Sequence, residues 1–134
     1  MDNIVRDMQY KILHRFFPTQ SLLYKMNKIN SPLCLYCNLC VDSIEHAVFE
    51  CFVIKNFWFD VIDVWNNLGN YKIQIDLKTV TFGYFDPVVE QHELVALNSL
   101  ILYGKKFVFQ QKCQNCSLSL FDFQLFLAAN IKRW

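Results

Sequence analysis

The chain has 134 residues, of which 54% are hydrophobic, thirteen are Phe and only three each are Gly and Pro, and its formal net charge is +1. That composition argues against disorder, because there is ample apolar surface to bury. The scarcity of turn residues argues against an all-β fold, so the expected class is mostly α, a single helical domain over 1–134 with few or no strands.

In chain order, Ile4, Val5, Met8, Ile12 and Phe16 recur at helical spacing while Arg6, Lys11 and Arg15 fall off that stripe. The first element therefore reads as an amphipathic helix closing at Phe17-Pro18. Thr19 is the expected N-cap of a second, short helix through Leu22, Leu23 and Met26.

Next come Cys34-Leu35-Tyr36-Cys37, then His46 and Cys51, a C-x2-C-x8-H-x4-C array. Three thiols and an imidazole at this spacing suit a tetrahedral zinc, and a full Cys3His shell leaves no place for water, so the zinc is expected to be structural. The bland alternative is that the Cys residues are small core groups and His46 a hydrogen-bonded helix histidine. Cys40, three residues after Cys37, can replace Cys34 or Cys37; the rigid Ser31-Pro32-Leu33 lead favours the first pair. Asp42 and Glu45 resemble a capping box for a helix that carries His46 and ends near Cys51.

Ile54, Phe57, Trp58, Val61, Ile62, Trp65 and Leu68 then form a wide apolar stripe stopped at Gly69-Asn70, a core helix. Residues 71–86 read as an irregular connector with weak strand character. It contains Asp76-Leu77-Lys78, a D-x-K triplet of the kind metal-dependent nucleases use, though it is common by chance. Asp86-Pro87 is the expected start of a long helix to about Gln111, with Gly104 inside it marking close packing at a cost of about 1 kcal/mol. Cys113 and Cys116 have no neighbouring His or Cys to complete a site; burial is the first expectation for them, ahead of a metal shared with Cys40 or a disulfide formed on oxidation. Ser117 or Ser119 opens a last apolar helix that runs to Lys132-Arg133-Trp134 and is either buried or meant for a partner.

The near-neutral charge is unevenly spread. Five cations (Arg6, Lys11, Arg15, Lys25, Lys28) face two acids before Cys40, and Lys105, Lys106, Lys112, Lys132 and Arg133 face Asp122 alone after Leu100. Each group is a candidate phosphate surface. With no signal-like N-terminus and no membrane-length apolar run, an intracellular setting, nuclear or cytoplasmic, is expected. No phosphate loop, nucleophile elbow or H-E-x-x-H helix is present. No catalytic residue is assigned, and no enzyme, membrane partner or small-molecule substrate is expected.

The runs Gln9-Tyr10-Lys11-Ile12-Leu13-His14-Arg15, Pro18-Thr19 and Leu23-Tyr24-Lys25-Met26, the four Cys and His positions, Phe57-Trp58, and Asn98 through Phe107 together resemble the zinc-binding region downstream of the polymerase in LINE-type (non-LTR) retrotransposon reverse transcriptases. The resemblance implies a non-catalytic accessory module that engages RNA or DNA, with Cys34, Cys37, His46 and Cys51 (the knuckle, 34–51) holding Zn. The Tyr-x-Asp-Asp polymerase motif is absent from this sequence. Lys11, Arg15, Lys25 and Lys28 are the expected phosphate contacts, and Tyr36, expected to be exposed on the knuckle turn, is a candidate base-stacking ring. The rival expectation is a protein-interaction or scaffolding module, docking on a polymerase domain or self-associating through its last helix.

Overall fold

The computed structural model describes residues 3–130, and they are built from helices as the composition requires. Six α-helices are α1 (Asn3–Leu13), α2 (Gln20–Lys25), α3 (Phe52–Leu68), α4 (Leu77–Phe82), α5 (Gln91–Cys113) and α6 (Leu120–Asn130), with a π-helical turn, His46–Glu50, before α3. Among the described residues the only strand-like pairing is one antiparallel bridge, Leu33 with Val41. None of these helices is long and apolar enough to cross a membrane.

Helix α5 is the axis of the packing. It touches α1, α4, α6 and the π-turn, and its buried residues (Leu97, Ile101, Tyr103, Phe107 and Val108 among them) point to more than one side, as a helix enclosed by others must. Phe107 meets Phe57 of α3 and Phe123 of α6 at ring-centroid distances of 5.6 and 5.1 Å, and Phe57 reaches Phe123 at 5.3 Å. Three helices thus share one aromatic knot. Trp58, fully buried, donates its indole N–H to the Val48 carbonyl (2.8 Å). Its six-membered ring lies over Gly104, where a Cβ would come within 2.5 Å of Cη2. Gly104 is therefore what lets α3 and α5 approach.

Helix ends follow their local chemistry. Thr19 caps α2 as expected, its hydroxyl accepting from Leu22 N. The last helix, α6, opens at Ser119, whose hydroxyl accepts from Asp122 N. Among the described residues four non-glycine residues have positive φ: Arg15, Asn27, Asn38 and Asn115. After α1, the Phe16 N–H reaches the Lys11 carbonyl and the Arg15 N–H that of Ile12. After α5, Cys116 and Asn115 pair in the same way with Gln111 and Lys112. These are left-handed C-terminal stops.

Several expectations are corrected. Helix α1 ends at Leu13, short of Phe17-Pro18, because Arg15 turns the chain. The connector contains α4, capped by Asp76, whose carboxylate accepts from Thr79 N at 2.8 Å. That bond holds its pKa below the ordinary carboxylate value and gives the D-x-K aspartate a structural task. Helix α5 begins at Gln91, five residues after Asp86, since the Asp86 carboxylate accepts from Val88 N and makes a turn of its own. Leu68, assigned to the core stripe, is 83% exposed. Cys113 and Cys116 are exposed at the end of α5. Lys105 and Lys112, grouped above with the phosphate-facing cations, are buried; Lys132, Arg133 and Trp134 lie outside the described residues.

Candidate metal centre

Residues 32–42 fold back as a small hairpin-like loop. Its rungs are Cys34 N to the Cys40 carbonyl (2.9 Å) and Asp42 N to the Pro32 carbonyl (2.8 Å), and Asn38 N closes the turn on the Cys34 carbonyl. Asn38 takes φ 55°, a conformation Asn tolerates better than most residues. The loop carries Cys34 and Cys37; the π-turn carries His46; Cys51 sits at the head of α3. The ligand atoms of all four lie within 4.8 Å of one another. Cys34 Sγ is 3.9 Å from Cys51 Sγ, and Cys37 Sγ is 3.4 Å from His46 Nε2. Cys34 and Cys51 are fully buried, His46 nearly so, and Cys37 half-buried. Such a cluster can hold a metal ion.

The local chain prepares these donors. Burial opposes ionisation of Cys37, yet the Leu39 and Cys40 amides donate to its sulfur and bring its pKa below that of an ordinary thiol. Cys51 is the N-cap of α3, and the Ile54 and Val53 amides point at its sulfur; burial and the neighbouring Cys34 nonetheless push it up to about 11. His46 is pushed down, first by burial and then by the Lys112 ammonium, which favours the neutral imidazole a metal needs. The π-helical winding of His46–Glu50 brings the Cys51 N–H onto the His46 carbonyl (3.2 Å), so the last two donors are set by one backbone turn. The Cys40 thiol, by contrast, is exposed, and the residue serves the loop through its backbone carbonyl and amide.

Two residues that sequence reasoning assigned elsewhere support the centre. Asp42 does not cap the His46 turn; Ser43 does, its hydroxyl accepting from His46 N. The Asp42 carboxylate instead accepts from Gln20 N of α2 (2.9 Å) and from the Lys112 ammonium of α5 (2.6 Å). The Asp42 and Lys112 side chains are 4% and 6% exposed. This buried pair ties the loop to the core helix. No local signal in the sequence announces a partner so distant along the chain.

The expected nucleic-acid residues are distributed as follows. Lys11 pairs with Asp7 at 2.8 Å and Arg15 with Glu45 at 2.6 Å, so Glu45 faces Arg15. Lys25 and Lys28 are exposed. Arg15 and Lys25 line one groove. Tyr36 is half-buried against the core, with its hydroxyl donating to the Cys116 carbonyl at 2.8 Å. Burial foremost, then the nearby cysteines, raises its phenol pKa. Its expected exposure is corrected, because the turn after α5 covers it. Tyr10, His14 and Phe16 form an exposed ring cluster that the sequence reading did not single out, Tyr10 to His14 at 4.2 Å and Tyr10 to Phe16 at 5.8 Å. No family model, curated protein or solved structure matches the chain.

Proposed function

We propose that this chain is a non-catalytic, nucleic-acid-binding accessory module built around one structural zinc. The carrying observation is the Cys3His cluster: two sulfurs on one tetrahedral zinc, each about 2.3 Å from the ion, lie about 3.8 Å apart, and Cys34 and Cys51 stand at 3.9 Å. Four protein donors fill the tetrahedron, which suits a fold-holding ion and leaves no position for a substrate. The ion, when bound, supplies cross-linking; the loop, the π-turn and α3 do the orienting.

The surface beside the cluster supports the nucleic-acid reading. Lys11 and Lys25 lie on the two helices that precede the loop and Arg15 and Lys28 just past their ends, and Tyr10 and Phe16 remain 55% and 46% exposed. Cations for phosphate and aromatic faces for unpaired bases are the two ingredients of single-strand binding. The ion pairs of Lys11 and Arg15 are solvent-exposed and of small net worth, so phosphate can exchange for the carboxylate. The resemblance of this region to the zinc-binding segment of LINE-type reverse transcriptases points the same way. The test is a titration of single-stranded RNA and DNA at two salt concentrations. Salt-dependent affinity that falls on neutralising Lys11, Arg15, Lys25 and Lys28 together supports the reading, and unchanged affinity defeats it.

A second reading, docking on a protein, is favoured by one feature. Val61, Val64, Trp65, Leu100, Phe123 and Leu127 line an apolar groove of about 300 Å3 between α3, α5 and α6, and Phe121 and Leu125 of α6 are 68% and 56% exposed. Sedimentation across a concentration series, with Val64→Asp as control, separates self-association through this face from a monomer.

A further inference from the structure

Arg15 is the exception among the four non-glycine residues with positive φ, the other three being Asn. Asn or Gly is the usual residue at a left-handed helix stop, since a longer side chain brings no local compensation. An Arg at φ 63° is uncommon, and its side chain gains no local capping role there. The conformation sends the guanidinium across to Glu45 on the metal-bearing segment, where both carboxylate oxygens are engaged, at 2.6 and 3.1 Å.

The same guanidinium borders a groove of about 170 Å3 whose other polar walls are Thr19, Ser21, Lys25 and Ser43. Its electrostatics are more positive than the residue list suggests. Asp42, which lies under α2, is already neutralised by Lys112 and by the Gln20 N–H. Thr19 accepts a backbone N–H, which leaves its hydroxyl hydrogen to donate, while the Ser43 hydroxyl accepts from His46 N and donates to the Glu45 carboxylate. Two cations and the Thr19 hydroxyl thus line one small cleft, next to the exposed rings of Tyr10, His14 and Phe16. Among the described residues, the carboxylate that answers Arg15 is Glu45, through an exposed pair that solvent weakens.

We infer that this groove is a phosphate subsite, in which Arg15 and Lys25 clamp one phosphodiester of a single-stranded nucleic acid and Glu45 holds the guanidinium in position until phosphate displaces it. The inference rests on the nucleic-acid reading and assigns it a place. A planar fork that already grips two carboxylate oxygens has the geometry to grip two phosphate oxygens. No covalent step is involved, only an exchange of anions.

The experiment is the salt dependence of binding to a single-stranded RNA oligonucleotide, for the wild type and for Arg15→Asn, Lys25→Gln, Glu45→Gln and, as a remote control, Lys72→Gln. Each lost phosphate contact lowers the log–log salt slope by about 0.7, so Arg15→Asn and Lys25→Gln are each expected to show that drop while Lys72→Gln does not. Arg15→Asn is also expected to keep or raise the thermal midpoint, because Asn suits the left-handed stop; binding and stability then move in opposite directions. Glu45→Gln is expected to tighten binding at low salt, with its zinc content unchanged, and to lose that gain in the Arg15→Asn background. If the wild type binds RNA but the slopes of Arg15→Asn and Lys25→Gln match it, or Lys72→Gln drops as much, the subsite is overturned and the general reading survives. If Glu45→Gln weakens binding, the displaceable-latch role is overturned. If the wild type does not bind at all, both inferences fall.

Discussion

Lys105 offers the most quantitative test of the structure. It is 1% exposed and sits where α1, α4 and α5 meet, donating to the Gln9 side-chain oxygen and to the Thr81 carbonyl (3.3 Å). No carboxylate among the described residues pairs with it, and burial alone lowers its pKa from 10.5 to about 7. Two neutral acceptors are what a neutral amine, with two N–H bonds, can satisfy. In the unfolded chain the ammonium persists to its ordinary pKa near 10.4. Between the two values the unfolded state binds the extra proton, so stability rises with pH. The penalty of burying the charge is complete below pH 7 and fades through alkaline pH, by at most about 5 kcal/mol over the whole window. From pH 7.5 to 9.5 the expected gain is about 2–3 kcal/mol. Urea unfolding at those two pH values, with Lys105→Met beside the wild type, isolates the term, since the thiols and tyrosines titrate in both proteins. Lys105→Met is expected to lose the gain. Identical pH dependence in the two proteins would refute the assignment of a neutral, buried amine.

Other substitutions probe the metal loop and the core separately. Elemental analysis is expected to find one equivalent of zinc in the wild type and in Cys40→Ser, and none in Cys37→Ser or His46→Ala; zinc retained in His46→Ala would remove His46 from the ligand set. Lys112→Met leaves the buried Asp42 carboxylate without its cation and is expected to cost about 3–5 kcal/mol in urea unfolding. A loss under about 1 kcal/mol would mean that the pair is hydrated in solution. Gly104→Ala gains about 1 kcal/mol of helix propensity but places a methyl 2.5 Å from Trp58 Cη2. Overpacking of this kind costs about 1–3 kcal/mol, so a net fall in melting temperature is expected, relieved in a Gly104→Ala, Trp58→Leu double variant. Equal losses in single and double variants would show that Trp58 is not what Gly104 accommodates.

What could be read in advance was what short-range spacing encodes. The stripe of α3, the Thr19 cap and the close approach at Gly104 all depend on neighbours within a few turns or on the absence of one side chain, and each stands in the structure. The four donors of the candidate centre likewise fall within eighteen consecutive residues, from Cys34 to Cys51. Helix α4 was hidden because Ile73, Ile75 and Leu77 alternate like a strand, Thr79 to Phe82 has β character, and Asp76, which caps the helix at Thr79 N, reads as part of a D-x-K triplet. Partnerships made across the chain were not legible. Lys112 and Lys105 look like surface cations until α5 is seen to run through the middle of the fold, and Tyr36 looks exposed until the Cys113–Cys116 turn is laid over it. Charge grouping is a one-dimensional statistic, and burial overrides it.

One residue serves two masters: Cys51 is both the last donor of the cluster and the N-cap of α3. On the zinc reading proposed above, filling the cluster would therefore fix the residue that heads that helix. Trp58, on the second turn of α3 and bonded to the Val48 carbonyl just upstream of Cys51, sits where such an event is felt. If the cluster binds zinc as proposed, its indole emission is expected to follow metal addition and chelation with the same midpoint as helix content, which would make it a built-in optical gauge of the cluster.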